Sequence, residues 1–167
     1  ENYTRPNHLA ITGGSNGGLL MGATLTQHPE LVRTVVSLVG IYDMLRVELS
    51  PNGAFNVTEF GSVRSPEQFN ALYAYSPYHR VTLGVRYPSV MFTTGASDPR
   101  VDPMQSRKMT ARLQAATASD QPILLRVREN AGHGGGNSLQ ERVAQTTDMF
   151  TFLFHELNIR YKSAHEE

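Results

Sequence analysis

The sequence predicts an α/β fold in which helices cover a mostly parallel sheet. Two observations carry this prediction. Short apolar segments that suit buried strands alternate four times with segments that suit helices. One of the strand-like segments, residues 34–40, is also β-branched and apolar from end to end, which is typical of parallel strands that are covered on both faces. A chain of 167 residues is long enough to bury the core of one such domain.

The first half of the chain predicts two strands and one long helix. Residues 9–13 (LAITG) suit a short buried strand, and residues 34–40 (TVVSLVG) are β-branched and apolar, as in a second strand. The segment after the first strand is expected to form a helix that ends before Pro29, because proline cannot continue a helix. From residue 42 to about residue 64 neither periodicity holds, so we expect an insertion or a lid-like region there.

The middle and the second half of the chain repeat the alternation. A short helix is expected to begin at Ser65 and Pro66 and to end before Pro77. Residues 87–95 (YPSVMFTTG) predict the third strand, and residues 123–129 (ILLRVRE) predict the fourth.

Two longer helices complete the predicted pattern. The first has Asp102 as its N-cap and Pro103 at its first position. The second begins at Ser138, with Glu141 at the capping-box spacing. Mostly apolar residues then recur every three or four positions and predict the face that packs on the sheet: Leu139, Val143, Thr147, Phe150, Phe154 and Leu157.

The composition excludes several classes of partner. The 15 basic and 15 acidic residues are spread without blocks, which argues against binding to nucleic acid or to an anionic membrane surface. The apolar stretches are too short for a transmembrane helix, and the first ten residues lack the layout of a signal peptide. With no cysteine and no His-x-x-x-His or acidic cluster, the sequence predicts no metal site. It leaves the localisation open.

Chemically active residues follow each predicted strand. The loops at the carboxyl ends of parallel strands gather at one edge of the sheet, where ligands bind. Ser15 follows the first strand, Asp43 the second, Asp98 and Arg100 the third, and His133 the fourth. We therefore expect a serine, a carboxylate and a histidine at one edge.

The segment from Gly13 to Gly17 fits the pattern G-x-S-x-G between a strand and a helix. A serine at the apex of such a turn adopts a strained backbone that projects its hydroxyl away from the sheet. Two phosphate-binding alternatives are weaker. The lysine of a Walker A loop is absent, because Leu19 and Leu20 follow Gly18.

The second phosphate alternative is a dinucleotide-binding turn. It lacks its first glycine, because Thr12 stands at that position. This interpretation, with Asp43 as the ribose ligand, stays open beside a plain tight turn with a buried serine.

A nucleophilic serine needs an adjacent imidazole and a carboxylate that orients it. Ser15, Asp98 and His133 occur in the chain order of α/β-hydrolases, and the glycines at 134–136 leave room for the histidine ring. Asp98 has no evident capping role, whereas Asp102 is explained as an N-cap. Asp43 remains a rival for the carboxylate.

Several ordered motifs together resemble one known family. The strings GGSNGGLLMGA, DMLR, TEFG, YSPYHRV, PSVMFTTGASDPRV and AGHGGG are similar to those in the catalytic domain of the prolyl oligopeptidase family of serine peptidases. The resemblance extends from about Leu9 to Leu157. It implies an α/β-hydrolase-type domain that hydrolyses peptide bonds of short peptides through an acyl-enzyme and needs no cofactor.

The resemblance also implies individual roles. Ser15 corresponds to the nucleophile, Asp98 to the acid and His133 to the base, while the backbone N–H of Asn16 corresponds to an oxyanion donor. The remaining positions belong to substrate binding: Arg100 would bind a substrate carbonyl or carboxylate, and Val101 would form a pocket wall. An esterase or thioesterase with the same residues, and an inactive structural or interaction module, remain as alternatives.

The chain departs from the family pattern in one part of the pocket. Many members carry a tryptophan, which stacks on the substrate proline, where Asn56 stands here, and this chain contains no tryptophan. Phe55 or Phe60 is expected to substitute for it in part.

A second departure concerns length, since the family's propeller and the first half of its hydrolase domain, with a second oxyanion donor, find no counterpart in residues 1–167. We therefore expect part of a catalytic domain whose partners are a peptide substrate and the missing segments of a longer enzyme. Alone, it should have little activity. Its first strand should expose an unpaired edge that favours self-association.

Overall fold

The structure is a computed structural model that describes residues 3–134 and 138–161. It contains one four-stranded sheet in which every neighbouring pair is parallel, in the order β1-β2-β3-β4. The fold class predicted from the sequence is confirmed. The strands are β1 (Ala10–Gly14), β2 (Thr34–Leu38), β3 (Ser89–Gly95) and β4 (Ile123–Arg128).

Six α-helices connect or cover the strands in the described part of the chain, together with three short 3₁₀ turns. The helices are α1 (Asn16–Gln27), α2 (Gly53–Phe60), α3 (Pro66–Tyr75), α4 (Pro77–Arg80), α5 (Met104–Ala116) and α6 (Leu139–Glu156). The turns are Pro6–His8, Pro29–Leu31 and Val47–Leu49.

The two faces of the sheet pack against different helices because side chains alternate along each strand. Val35 and Phe92 belong to a core shared with Leu25 of α1 and Met109 of α5. Val36 and Met91 belong to a second cluster with Phe152 of α6. The central strands β2 and β3 are therefore covered on both faces, as the sequence predicts for residues 34–40.

Between residues 42 and 64, where the sequence shows no clear periodicity, the structure forms the helix α2 at Gly53–Phe60. Whether this region acts as a lid stays a prediction. The helix has no long apolar stripe, because Asn56 lies on its buried side and Phe55 on its exposed side. A search for apolar periodicity therefore misses it.

The packing face of α6 was also predicted wrongly. Met149, Phe152 and Leu153 pack against the sheet, whereas Leu139, Val143 and Phe150 are exposed. The helix carries apolar residues on more than one side, and periodicity alone does not identify the side that is buried. Its N-terminus agrees with the prediction, because Ser138 and Glu141 form the expected capping box.

The start of α5 differs by one residue from the prediction. The helix begins at Met104, and Pro103 occupies the cap position. Asp102 nevertheless accepts a hydrogen bond of 2.8 Å from the backbone N–H of Met104, so its carboxylate still serves the helix start.

The ends of the sheet and the length of the helices bear on two further expectations. Among the described residues, β1 pairs only with β2 and lies at one edge of the sheet. Self-association through this edge stays a prediction.

Across residues 3–134 and 138–161, none of the helices combines the length and the apolar character that crossing a bilayer requires.

Candidate active site

Ser15 lies in the turn between β1 and α1 and has an unusual backbone conformation. Its φ angle is 56° and its ψ angle is −118°, a region that non-glycine residues rarely adopt. The N–H of Ser15 donates a hydrogen bond of 2.9 Å to the carbonyl of Leu38, which fixes the turn against β2. A Cβ atom on Gly13 would lie 2.5 Å from the carbonyl oxygen of Gly17. The turn therefore requires glycine at position 13.

Asp98 is buried in the loop that follows β3. One of its carboxylate oxygens accepts hydrogen bonds from the backbone N–H groups of Arg100 at 2.9 Å and Val101 at 3.0 Å. The other oxygen lies 2.9 Å from Nδ1 of His133. Asp98 therefore does have a capping role, contrary to the expectation from sequence, and this role fixes the direction of the carboxylate.

The loops that carry Asp98 and His133 pack backbone against backbone. A Cβ atom on Gly95 would collide with the carbonyl groups of Ala131 and Gly132. The N–H of Ser97 donates a hydrogen bond of 3.2 Å to the carbonyl of Ala131. Glycine at the end of β3 thus permits the close approach of the two loops.

His133 bridges Asp98 and Ser15. Its Nε2 atom lies 3.0 Å from the hydroxyl oxygen of Ser15, and its side chain is mostly buried. A histidine that donates Nδ1–H to a carboxylate presents the lone pair of Nε2 to the serine hydroxyl. This arrangement can remove a proton from the serine and hold the positive charge that results. Gly134 is described, whereas Gly135 and Gly136 of the same motif lie outside the described residues.

Asp43, the rival carboxylate, has different neighbours. It is fully buried, forms an ion pair with Lys108 and lies 3.7 Å from Nδ1 of His79. Its contacts are thus with α4 and α5, and its hydrogen bonds include none with His133. Burial lowers the pKa of His79 from its usual value, against the opposing effect of the Asp43 carboxylate. The ion pair with Lys108 gives Asp43 a structural explanation.

A cavity of about 340 Å³ opens beside Ser15. Three of the four residues predicted for substrate binding, Phe55, Arg100 and Val101, line it. Phe60 does not line it and packs instead against the apolar cluster that contains Ile41. Phe55 is 72% exposed, so it borders the cavity from the solvent side.

Asn16 takes part in the site through its backbone N–H and its side-chain amide. As the first residue of α1, its backbone N–H has no acceptor within the helix. Its side-chain amide donates a hydrogen bond of 2.9 Å to Glu59 on α2. Glu59 and Asn52 also line the cavity, and the sequence interpretation did not include them. With Asn56 they are spaced four and three residues apart, a helical spacing that identifies their shared face once α2 is known to be a helix.

The described residues contain no group of three or more histidine, aspartate or glutamate side chains placed to hold a metal ion.

The chain is similar to known proteins along nearly its whole length. The model of the prolyl oligopeptidase family matches residues 1–160. This chain belongs to the prolyl oligopeptidase family. Among related sequences, the prolyl endopeptidase of Elizabethkingia miricola is 42% identical over 159 residues, which cover 95% of this chain and 23% of the relative. The prolyl endopeptidase of Dictyostelium discoideum is 42% identical over 163 residues, 96% of this chain and 21% of the relative.

Solved structures of the prolyl oligopeptidase family share the fold closely. A structure from a study of two prolyl endopeptidases superposes with a TM-score of 0.92 at 44% identity and covers 95% of this chain and 23% of its own. A post-proline cleaving enzyme from Rickettsia typhi gives a TM-score of 0.91 at 33% identity. The match covers 96% of this chain and 23% of the Rickettsia enzyme. The chain thus spans less than a quarter of the relatives it matches. Membership supports a serine hydrolase of the peptidase class, and nothing in the comparisons supports an esterase or a purely structural module.

Proposed function

We propose that the chain carries the catalytic residues of a serine peptidase that hydrolyses short peptides through an acyl-enzyme. In this proposal Ser15 is the nucleophile, His133 the general base and acid, and Asp98 the group that orients His133. The observation that carries the proposal is the continuous hydrogen-bonded path from Asp98 through His133 to Ser15, with distances of 2.9 Å and 3.0 Å.

The proposed reaction has two balanced halves. The hydroxyl oxygen of Ser15 forms a bond to the peptide carbonyl carbon while His133 accepts the hydroxyl proton. His133 then delivers that proton to the amine nitrogen as the C–N bond breaks, which leaves an acyl-enzyme. Water repeats the sequence, attacks the ester and restores Ser15.

The backbone N–H of Asn16 is proposed to stabilise the negative oxygen of each tetrahedral intermediate. It is adjacent to the nucleophile and has no acceptor inside α1, so it is available for such a contact. A single donor of this kind contributes about 3 kcal/mol to the barrier reduction. We propose that turnover needs a second donor from another part of a longer enzyme, whereas covalent modification of Ser15 depends mainly on the relay.

The cavity beside Ser15 is proposed to bind the substrate residue that precedes the cleaved bond. Val101 forms an apolar wall, and Arg100 is exposed at the border, where its guanidinium is available for a substrate carbonyl or carboxylate.

The proposal is tested by the mass of the intact chain after incubation with a fluorophosphonate. We expect one adduct per molecule, because the relay deprotonates Ser15 for attack on phosphorus. The Ser15→Ala variant should gain no adduct. A Ser97→Ala variant is the matched control, since Ser97 is exposed in the neighbouring loop and should not affect labelling. Equal labelling of the Ser15→Ala variant would refute the assignment.

A further inference from the structure

The wall of the cavity that α2 forms carries several polar side chains. Asn52, Asn56 and Glu59 line the cavity, and their spacings of four and three residues place them on one side of α2. This surface, which we call the polar wall, is unlike the apolar lining of most small-molecule pockets.

Two groups of the polar wall are available to a ligand. Within the described part of the chain, the side chains of Asn52 and Asn56 make no hydrogen bond, although Asn56 is only 8% exposed. The amide atoms of Asn56 line the cavity and are not among the side-chain atoms that are shielded from solvent without a partner. A ligand that fills the cavity displaces water from this amide and has to replace its hydrogen bonds.

The charges around the cavity favour an uncharged ligand. Glu59 is the acidic residue among those that line it, and Arg100 is the basic one. The charges of these two residues are opposite in sign. One carboxylate oxygen of Glu59 already accepts the hydrogen bond from Asn16. The cavity therefore offers hydrogen bonds without a net charge.

From these observations we infer that the polar wall selects an uncharged side chain that donates and accepts hydrogen bonds, such as threonine, directly before the cleaved bond. This inference rests on the proposed function of Ser15. Proline has no polar side-chain group and would leave Asn56 without a partner. A site with buried polar groups discriminates against ligands that leave those groups unpaired.

The test uses two peptidyl diphenyl phosphonates that differ in one group. The first carries the phosphonate analogue of threonine and the second that of valine, so that a hydroxyl replaces a methyl at constant shape. A proline analogue is the third probe. We expect the threonine probe to label Ser15 roughly three- to tenfold faster than the valine probe, which is the effect of one hydrogen bond. The proline probe should be slower than the threonine probe.

A pair of variants identifies the residue responsible. In Asn56→Leu the preference for the threonine probe should fall to about one or reverse, because the amide is lost. Asn70→Leu is the matched control, since it makes the same chemical change on the exposed side of α3. It should keep the preference of the natural chain. A natural chain that favours the valine or proline probe would overturn the inference.

A second measurement keeps this inference separate from the proposed function. If a simple fluorophosphonate labels Ser15, the ratios of the labelling rates of the threonine, valine and proline probes decide whether the polar wall is selective. If it does not, the proposed function fails, and binding of Gly-Thr and Gly-Val peptides is compared through the NMR signals of the asparagine side-chain amides. Stronger binding of Gly-Thr, lost in Asn56→Leu, supports the polar wall, and equal binding overturns it.

Discussion

The side-chain amide of Asn16 donates a hydrogen bond of 2.9 Å to Oε1 of Glu59, which lies 43 residues further along the chain. The bond links the residue after the proposed nucleophile to the helix that forms one wall of the cavity. Because the backbone N–H of Asn16 is the proposed oxyanion donor, the same bond links that donor to the wall where the substrate binds.

Removal of this link should slow acylation of Ser15. For Glu59→Ala we expect labelling by a peptidyl phosphonate to be roughly fivefold slower, the effect of one hydrogen bond. Glu59→Gln keeps an acceptor oxygen and should retain most of the rate. For both variants, the second-order rate constant of labelling is obtained by following the mass of the intact chain over time. If Glu59→Gln is as slow as Glu59→Ala, the charge of Glu59 matters and not its hydrogen bond.

The choice between Asp98 and Asp43 is open to a direct comparison. Asp98→Asn should reduce the labelling rate by about 10³- to 10⁴-fold, because the amide favours the wrong tautomer of His133. Asp43→Asn should leave the rate per folded molecule unchanged. It should lower the free energy of unfolding by about 3 kcal/mol, because Lys108 loses its partner. Labelling rates and urea denaturation check the two variants, and the opposite pattern would assign the acid to Asp43.

Arg128 is expected to position the loop that carries His133. Its guanidinium donates a hydrogen bond of 2.9 Å to the carbonyl of Gly134, while within the described residues its Nε and Nη1 atoms are buried without a partner. Burial lowers the pKa of this guanidinium from its usual value. Arg128→Met should slow labelling of Ser15 several-fold and change the free energy of unfolding by less than about 1 kcal/mol, because the lost hydrogen bond is offset by the relief of desolvation.

Arg126→Met is the control for Arg128→Met. Arg126 pairs with Asp148 near the surface, where an ion pair contributes little. We expect a labelling rate equal to that of the natural chain. If both arginine variants slow labelling equally, the effect comes from the loss of positive charge near β4 and not from the bond to Gly134.

His79 should make the fold sensitive to mild acid. Its pKa in the folded chain is lowered by burial, so between its usual value of 6.5 and the folded value the unfolded chain binds a proton that the folded chain does not. Stability from this group is therefore present above about pH 6.5 and decreases as the pH falls below it. The free energy of unfolding, measured by urea denaturation, should decrease less between pH 7.5 and pH 5.5 for His79→Asn than for the natural chain. The exposed His28→Asn should behave as the natural chain does.

The parts of the site that follow local rules were predictable. The sequence GGSNG between an apolar strand and a helix predicts the strained turn at Ser15, because only small residues allow it. The order of strands and loops predicts that Asp98 and His133 approach the same edge, because parallel strands end on the same side.

The parts that depend on distant contacts were not predictable in this way. The capping of Arg100 and Val101 by Asp98 depends on the path of one loop. The contact between Asn16 and Glu59 depends on how α2 lies against α1, and α2 itself lacks the apolar periodicity that indicates a helix. For α6, periodicity identified the helix but not its buried face, since Phe150 and Phe152 are equally apolar and only Phe152 is buried.

The central claim is that His133 activates Ser15 to form an acyl-enzyme. The most direct test is to mix the chain with an activated peptidyl ester, quench with acid and locate the acyl group by peptide mass mapping. We predict an acyl group on Ser15 that is absent from Ser15→Ala and His133→Ala. An acyl group on another residue, or undiminished acylation of the His133→Ala variant, would contradict the claim.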